Sequence, residues 1–249
     1  MPTIPAWPPK SAPRLFVAQG LSLGAQVVIE GGQAHYLSRV MRIATGDAVV
    51  LCDNQTGEWA ARVVDAGKRE VVVTCETLLR PREQVPDFTL CAALLKKDRF
   101  DLVLEKACEL GVRRIQPVLT RRCVADKLNL DRARAVLTEA AEQCARTALP
   151  ELAAPVKLDA LLAGWEPVRT LFFADENGGA NAAQQFSAHS GPAALLTGPE
   201  GGFDEAERAA IRKLPQAQAI TLGPRILRGE TAAIAGIALW MGTCGDWTQ

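Results

Sequence analysis

From Phe88 onward this sequence alternates between two kinds of segment, and the alternation restricts the fold more than any other feature. Short apolar runs bounded by turn residues are followed by longer runs whose apolar residues recur at helical spacing. The pattern predicts strands at 88–94, 115–119, 171–174, 193–196 and 219–222, and helices at 98–110, 131–147, 204–213 and 232–241. It is typical of an open, mostly parallel α/β sheet with helices on both faces. Ligands of such sheets bind beyond the carboxyl ends of the strands.

The first third of the chain predicts a separate and smaller domain. Residues 1–13 contain five prolines, which oppose regular structure, and predict a flexible arm. Residues 14–80 contain short β-prone runs separated by turn signals, with one helix at about 33–40, and predict a small β-barrel. Residues 81–86 begin and end with proline and predict a linker to a second domain at 87–249.

Composition argues against several classes of protein. The 249 residues contain no uninterrupted apolar stretch of about 18 residues and no apolar signal-peptide segment near the start. We therefore expect no membrane span, no secretion signal and a cytoplasmic location. The seven cysteines include no Cys-x-x-Cys pair, so we expect neither a disulfide framework nor a metal site.

Charge is unevenly distributed along the chain, although the formal net charge is zero. Residues 96–146 contain 12 lysines and arginines against 8 acidic residues, whereas residues 147–249 contain 7 against 11. One interpretation is a pair of solvated helix faces. The other is an RNA-facing basic patch beside a neutral or acidic catalytic end.

The first glycine-rich loop lies between the strand at 193–196 and the helix at 204–213. Its sequence is Gly198-Pro199-Glu200-Gly201-Gly202-Phe203. Glycines let a backbone approach a ligand closely, and a helix N-terminus favours an anion. The loop is neither a P-loop nor a G-x-G-x-x-G motif. A tight structural turn and a ligand-binding loop both remain open as interpretations.

A second polar loop, residues 222–232, lies between the strand at 219–222 and the helix at 232–241. Besides glycine and proline it contains four polar residues, namely Arg225, Arg228, Glu230 and Thr231. Taken alone, the loop is equally typical of a helix cap with solvated arginines. Two such loops at strand ends favour a ligand crevice.

These two loops and five further segments resemble the ribosomal RNA small subunit methyltransferase E family, within the SPOUT (α/β-knotted) methyltransferase superfamily. The further segments are RLFV at 14–17, HYLSRVMR at 35–42, KKDR at 96–99, EKACELGV at 105–112 and EAAEQCAR at 139–146. The resemblance covers nearly the whole chain. It has two departures, because Gly229 stands where the family usually has a threonine in Leu-Arg-Thr-Glu-Thr-Ala, and because the proline-rich arm is atypical.

The resemblance implies a fold and an activity. The fold is a PUA-like RNA-binding barrel followed by a SPOUT-type sheet, with a trefoil knot threaded after about residue 195. The activity is S-adenosylmethionine-dependent methylation of a uridine N3 in 16S ribosomal RNA, either as naked RNA or in the assembled small subunit. A homodimer with its active site near the subunit interface is also implied. The residues expected to hold the donor are Ala174, Glu176, Thr197, Gly198, Pro199, Glu200, Gly201, Gly202, Leu222, Gly223, Ile226, Leu227 and Thr231.

Methylation at uridine N3 needs help from the protein, because that nitrogen carries a proton at neutral pH. Arg228 is predicted to stabilise negative charge on the neighbouring carbonyl oxygens, since its guanidinium stays charged and offers a planar fork of donors. Glu200 or Glu230 is the candidate base, although either carboxylate is equally consistent with capping a helix or holding Arg228. His35 and His189 are interpreted as surface residues rather than bases.

The RNA contacts expected from charge and resemblance lie in both predicted domains. They are Arg14, His35, Arg39, Arg42, Lys97, Arg121, Arg122, Arg146 and Arg225. Three other functions remain open, namely a non-catalytic RNA-binding relative, a SPOUT methyltransferase acting on another RNA site, and a nucleotide-dependent enzyme with a doubly wound sheet. The absence of a P-loop and of a dinucleotide motif disfavours the last of these.

Overall fold

The computed structural model describes residues 7–248, so residues 1–6 of the predicted arm lie outside the described part of the chain. The chain packs into two compact units. The first contains the described residues up to Gln84 together with Ala141–Leu149, and the second contains Val85–Ala140 and the residues from Pro150 onward. The sequence predicted one crossing between domains at 81–86, whereas here a short segment of the later chain also belongs to the first unit.

The first unit is built around a five-stranded sheet. Its strands are β1 (Arg14–Phe16), β2 (Gln26–Glu30), β3 (Ala48–Cys52), β4 (Gly57–Ala66) and β5 (Glu70–Pro81), in the spatial order β1-β3-β4-β5-β2. β1 runs parallel to β3, and the other neighbouring pairs are antiparallel. In β2, Val27 and Ile29 are buried while the residues beside them are exposed, as the period of two in a half-buried strand requires.

The short helix predicted at about 33–40 is two elements in the structure. Helix α1 (Gly31–His35) passes directly into a π-helical turn at Tyr36–Val40. The amide of Met41 bonds to the carbonyl of Tyr36, five residues earlier, at 3.0 Å, and this defines the wider turn. Local periodicity does not distinguish a π turn from an α turn, so this change could not be predicted from the sequence.

A buried carboxylate in the first unit is held by two arginines. The Glu58 side chain is 6% exposed, and it binds Arg14 on β1 and Arg80 on β5 at 2.5 Å each. Burial by itself raises the pKa of Glu58, but the hydrogen bonds from Arg80 and Arg14 outweigh burial and hold that pKa below its ordinary value of 4.5. Glu58 therefore stabilises the first unit in its charged form.

This pair of contacts predicts how the stability of the first unit depends on pH. The folded pKa of Glu58 is depressed, so its contribution is present above 4.5 and is lost as pH falls below that value through the folded pKa. We expect Glu58→Gln to be less stable than the wild type at neutral pH, with the two curves converging in acid. Hydrogen exchange of the β4 amides measures this, and an offset that stays constant across the whole pH range contradicts the prediction.

The second unit contains the predicted mostly parallel sheet. Its strands are β6 (Phe88–Ala93), β7 (Arg114–Leu119), β8 (Glu151–Leu152), β9 (Val156–Lys157), β10 (Thr170–Ala174), β11 (Ala180–Asn181), β12 (Ala193–Thr197) and β13 (Ala217–Thr221). The spatial order is β11-β13-β10-β12-β6-β7-β8, with β9 also paired to β7. The pairs are parallel. Five of these strands were predicted, and β8, β9 and β11 are two-residue bridges too short for a periodic signal.

Helices cover both faces of this sheet. The helices after β6 are α2 (Lys97–Glu109), α3 (Leu130–Cys144, whose residues from Ala141 belong to the first unit), α4 (Leu158–Ala163), α5 (Ala182–Ser187), α6 (Glu205–Lys213) and α7 (Gly229–Thr243), with a 3-10 turn at Asp246–Thr248. Successive β12 residues point to opposite faces. Leu195 packs against Gly236 of α7, whereas Ala194 and Leu196 share a core with Leu158 of α4. One side of helix α7 is therefore buried against the sheet.

Helix boundaries depart from the sequence predictions at two ends. The helix predicted at 131–147 ends at Cys144, because Ala145 takes a left-handed conformation with φ of 61°. The helix predicted from residue 232 begins three residues earlier, at Gly229. Helix α6 begins with a capping box, since the Asp204 side chain accepts from the Glu207 amide at 2.8 Å and the Glu207 side chain accepts from the Asp204 amide at 3.0 Å.

Over residues 7–248, no helix combines the length and apolarity needed to cross a membrane. The described side chains also form no cluster of three or more histidines, cysteines or acids suited to a metal ion. The trefoil knot implied by the resemblance stays a prediction.

Candidate functional site

A cavity of about 140 Å³, open on one side, lies at the carboxyl ends of β10, β12 and β13. It is the position that the parallel sheet predicts for a ligand. Nine residues expected to hold a donor line it, namely Ala174, Glu176, Gly198, Pro199, Gly202, Leu222, Gly223, Ile226 and Leu227. The two loops that looked like ordinary turns when taken singly therefore face a single cavity, which we call the loop cavity.

Four residues predicted to hold the donor do not line the loop cavity. Thr197 is buried inside β12, and Glu200 and Thr231 are exposed. Gly201 faces Arg122, because a Cβ built there meets the Arg122 Cβ at 3.3 Å. Neighbouring residues in a tight loop point in different directions, so a contiguous motif overstates how many of its members face the ligand.

An ion-pair network that sequence reasoning missed fixes one wall of the loop cavity. Asp175 directly follows β10, its side chain has no exposed surface, and it binds Arg208 at 3.2 Å and Arg212 at 2.7 Å. Arg208 also binds Glu176 at 2.5 Å. The only sequence signal was the spacing of Arg208 and Arg212, which places both on one side of α6. Their partner lies more than 30 residues away, so spacing alone did not identify it.

Gly202 is the position where the first loop requires glycine. It has a backbone φ of 65°, a conformation that residues other than glycine rarely adopt. A Cβ there collides with the Glu176 carboxylate. The loop backbone and the Glu176 carboxylate are therefore in direct contact across the cavity wall.

Gly229 departs from the expected family motif, and its surroundings give a physical reason. A Cβ at this position meets Leu95 Cδ2 at 2.9 Å and the Gly198 carbonyl oxygen at 3.0 Å. Leu95 is 3% exposed, so its side chain occupies the space that a larger residue 229 needs. The absence of a side chain at Gly229 therefore leaves the space that the Leu95 side chain occupies in this chain.

We expect Gly229→Thr to destabilise the protein by about 1–3 kcal/mol, because overpacking forces neighbouring side chains from their preferred rotamers. Replacing Leu95 by alanine in the same chain should recover part of that loss, since it opens the space that the threonine needs. Unfolding free energies of the two single variants and the double variant test the coupling. Strictly additive effects contradict the pairing of these positions.

Arg228 is exposed and precedes α7 at its N-cap, between two cavity-lining residues, Leu227 and Gly229. Among residues 7–248 its guanidinium has no hydrogen-bond or ion-pair partner, so its donors are available to a ligand. Arg225 lines the loop cavity and is also exposed.

The two candidate bases differ in environment. The Glu230 side chain is 6% exposed, pairs with Arg99 of α2 and does not line the loop cavity. This corrects the prediction that Glu230 serves as a base, because a buried carboxylate committed to an arginine has no access to a substrate proton. Glu200 is exposed and has no partner within the described part of the chain.

The predicted RNA contacts of the first unit divide into exposed and committed residues. His35, Arg39 and Arg42 are exposed within one short segment. Arg14 is held by Glu58. The Arg146 side chain is 4% exposed and lies 3.5 Å from Glu83, which corrects its assignment as an RNA contact, because a buried guanidinium presents no donors to a phosphate.

The predicted RNA contacts of the second unit are all exposed. Arg121 binds Asp204 at 3.0 Å, and Arg122 donates to the Gly201 carbonyl at 2.8 Å. Both therefore help to hold the first loop as well as presenting positive charge. Lys97 and Arg225 have no side-chain partner within residues 7–248.

Comparisons with known proteins extend over both units. The family model for an RNA methyltransferase domain matches residues 81–241, and the model for an RNA methyltransferase PUA domain matches residues 29–75. The chain is 35% identical to a protein of Synechocystis sp. named ribosomal RNA small subunit methyltransferase E, over 90% of this chain and 76% of that one. A protein of the same name from Rickettsia conorii is 28% identical over 90% of this chain and 93% of its own.

Solved structures agree with these matches. A ribosomal RNA small subunit methyltransferase E from Neisseria gonorrhoeae, bound to S-adenosylmethionine, superposes with a TM-score of 0.87 at 28% identity and covers 95% of this chain and 99% of its own. A methyltransferase from Legionella pneumophila with bound SAM gives a TM-score of 0.86 at 26% identity, covering 94% of this chain and 99% of that one.

Proposed function

The chain belongs to the ribosomal RNA small subunit methyltransferase E family, and from that premise we propose that it uses S-adenosylmethionine to methylate N3 of a uridine in 16S ribosomal RNA. The observation that carries this proposal is the pairing of a glycine-walled cavity with a partner-free arginine at its edge. The cavity supplies a place for the donor, and the arginine supplies positive charge where the acceptor base develops negative charge.

The walls of the loop cavity suit S-adenosylmethionine. They consist largely of loop backbone and apolar side chains, including Phe203, Ile220 and Leu222. Such walls satisfy an adenine through backbone groups and bury its faces. The methyl donor supplies a methyl group already activated by a sulfonium sulfur. The chain therefore has to bind and orient the methyl donor and exclude water, and it does not have to activate the methyl group. Arg208 serves this purpose indirectly by fixing Asp175 and Glu176.

The acceptor requires removal of the proton on uridine N3. Arg228 donates to a carbonyl oxygen flanking that nitrogen and stabilises the imide anion. Glu200 accepts the N3 proton on a carboxylate oxygen, since it is the exposed one of the two carboxylates considered. Glu230 instead anchors the first turn of α7 through Arg99.

The RNA is proposed to contact exposed basic residues of both units. In the first unit these are His35, Arg39 and Arg42, and in the second they are Lys97, Arg121, Arg122 and Arg225. Their charge gives affinity through the phosphate backbone rather than through base recognition. The homodimer implied by the family is part of the proposal, and sedimentation of the purified protein at several concentrations tests it.

The proposed function is tested by mapping modified nucleosides in 16S rRNA from cells with and without the gene. We expect one N3-methyluridine to disappear with the gene and to return with the wild-type protein. Loss of a different modified nucleoside contradicts the N3 assignment but still supports an rRNA methyltransferase. An unchanged set of nucleosides overturns the proposal and favours a non-catalytic RNA-binding relative. Supplying naked 16S rRNA or assembled small subunits to the purified enzyme then identifies the form that is methylated.

A further inference from the structure

A second cavity, of about 450 Å³, lies in the second unit where β6 and β7 begin. This is the amino-terminal edge of those parallel strands, opposite to the edge that carries the loop cavity, and the two cavities share no lining residue. Its volume lies within the roughly 300–1,000 Å³ of ordinary small-molecule sites. Nothing in the proposed methyl transfer uses it. We call it the rear cavity.

The floor of the rear cavity is polar at a place where a parallel sheet is normally apolar. Thr89 and Cys91 of β6 lie beside Arg114 and Gln116 of β7 in register, so the four side chains share one face of the sheet. Thr89 is 6% exposed and Gln116 is 9% exposed. Burial raises the pKa of the Cys91 thiol to about 12, so the thiol is neutral under ordinary conditions.

Two polar atoms of this floor are left without partners. The Gln116 amide nitrogen donates to the backbone carbonyls of Pro117 at 3.0 Å and Ala154 at 2.8 Å. These bonds fix the orientation of the amide, and its Oε1 accepts nothing within residues 7–248. The Thr89 hydroxyl also has no partner there. Neither atom is fully buried, so both face the open space of the cavity and can bond to a ligand there.

The remaining walls restrict the chemistry of that ligand. Val156, Leu161 and Trp165 supply an apolar wall. The rim carries three arginines, but each has a carboxylate partner. Arg169 lies 2.9 Å from Asp87, Arg114 lies 3.5 Å from Glu151, and Arg113 lies 3.8 Å from Asp87. With Glu166 also bound to Arg169, the rim carries three positive and three negative charges, which favours an uncharged ligand over an anion.

We propose that the rear cavity binds a neutral nitrogen heteroaromatic ring of the nucleobase class, with its face against the apolar wall and an N–H edge donating to Gln116 Oε1. The Thr89 hydroxyl bonds to the same edge as donor or acceptor. A base of this class comes either from a free nucleoside or from an unpaired position in an RNA strand. Both sources present the same ring, and they differ in whether binding depends on the attached strand.

The test measures binding to the full-length protein by calorimetry, with S-adenosylmethionine present throughout to occupy the loop cavity. One arm titrates adenosine, guanosine, cytidine and uridine, and the other titrates short single-stranded RNA oligomers. Gln116→Leu removes the acceptor, and Ala160→Phe fills the cavity from its exposed rim. Gln184→Leu is the matched control, because Gln184 is exposed on α5 and lies outside both cavities.

We expect at least one ligand to bind, with its affinity reduced about tenfold or more by Gln116→Leu and by Ala160→Phe but not by Gln184→Leu. Binding by free nucleosides identifies a small-molecule site, whereas binding by oligomers alone identifies an RNA contact. Each variant that still binds S-adenosylmethionine is folded. If Gln116→Leu does not fold, the result with Ala160→Phe decides the outcome. No binding in either arm, or binding that the cavity-filling variant leaves unchanged, overturns the proposal.

Discussion

Arg228→Ala should lower the rate of methyl transfer at least about 100-fold while leaving the affinity for S-adenosylmethionine within about twofold of the wild type. The size of the effect follows from removing a preorganised donor aimed at developing negative charge, which typically reduces a rate by about 10²–10³. The affinity for S-adenosylmethionine should be retained, because the Arg228 side chain is exposed and does not line the loop cavity. Single-turnover methylation of 16S rRNA and calorimetry with the donor measure the two quantities.

The matched control is Arg225→Ala, three residues earlier in the same loop. Arg225 is exposed and lines the cavity, so its loss should weaken RNA binding and reduce its salt dependence with a smaller effect on the rate at saturation. Arg228→Lys should recover only part of the rate, because lysine restores charge without the planar fork. An Arg228→Ala enzyme that turns over at the wild-type rate removes Arg228 from the proposed mechanism.

Arg208→Ala should destabilise the second unit by about 3 kcal/mol and weaken binding of the methyl donor. Asp175 has no exposed side-chain surface and Arg208 has 11%, so the substitution removes one partner of a buried ion pair. Removing one member of such a pair usually costs about 3–5 kcal/mol, and the remaining bond from Arg212 places this case at the lower end. Glu176 is released at the same time, so the wall that touches Gly202 loses its support.

Arg212→Ala provides the control for Arg208, since both arginines lie on α6 and bind the same carboxylate. The Arg212 side chain is 53% exposed and does not contact Glu176, so we expect a smaller loss of stability and unchanged donor affinity. Denaturant unfolding and donor calorimetry distinguish the two variants. Equal effects of the two substitutions remove the special role given to Arg208.

The RNA-binding role of the first unit is better tested by point substitutions than by deleting residues 1–82. Asn54 accepts from the Leu149 amide at 2.8 Å, and the Phe16 amide donates to the Glu142 carboxylate at 2.8 Å. Such a truncation leaves residues 141–149 without their partners. Replacing Arg39 and Arg42, both exposed, removes charge without that damage, and we expect weaker RNA binding with donor affinity unchanged.

The periodicity of apolar residues and the positions of turn residues predicted much of the fold. The five main strands of the sheet depend on residues close in sequence, and these predictions agree with the structure to within a few residues at each end. The two loops could be placed at one edge because parallel strands share their direction. Single-residue conformations such as the left-handed Ala145, which ends α3, carry no comparable pattern.

The roles of individual charged residues could be predicted less well. Glu230 pairs with Arg99, which is 131 positions away, and Arg146 lies beside Glu83, 63 positions away. Whether a carboxylate or a guanidinium is free or committed depends on such distant partners, which leave no trace in local spacing. Arg208 was missed for the same reason. The resemblance to a family identified the cavity-forming loops, but it did not indicate which members of each loop face inward.

The return of residues 141–149 to the first unit has a consequence for synthesis of the protein. A nascent chain that has exposed only its first 84 residues lacks nine residues of that unit, including the carbonyl of Ala145 that accepts from Arg80. N-terminal domains often fold as soon as they leave the ribosome. Here the first unit is complete only after Leu149 has emerged, by which time β6, β7 and α2 of the second are already outside the tunnel. The two units therefore finish folding as overlapping events during translation, and a nascent chain that ends before residue 149 has an incomplete first unit.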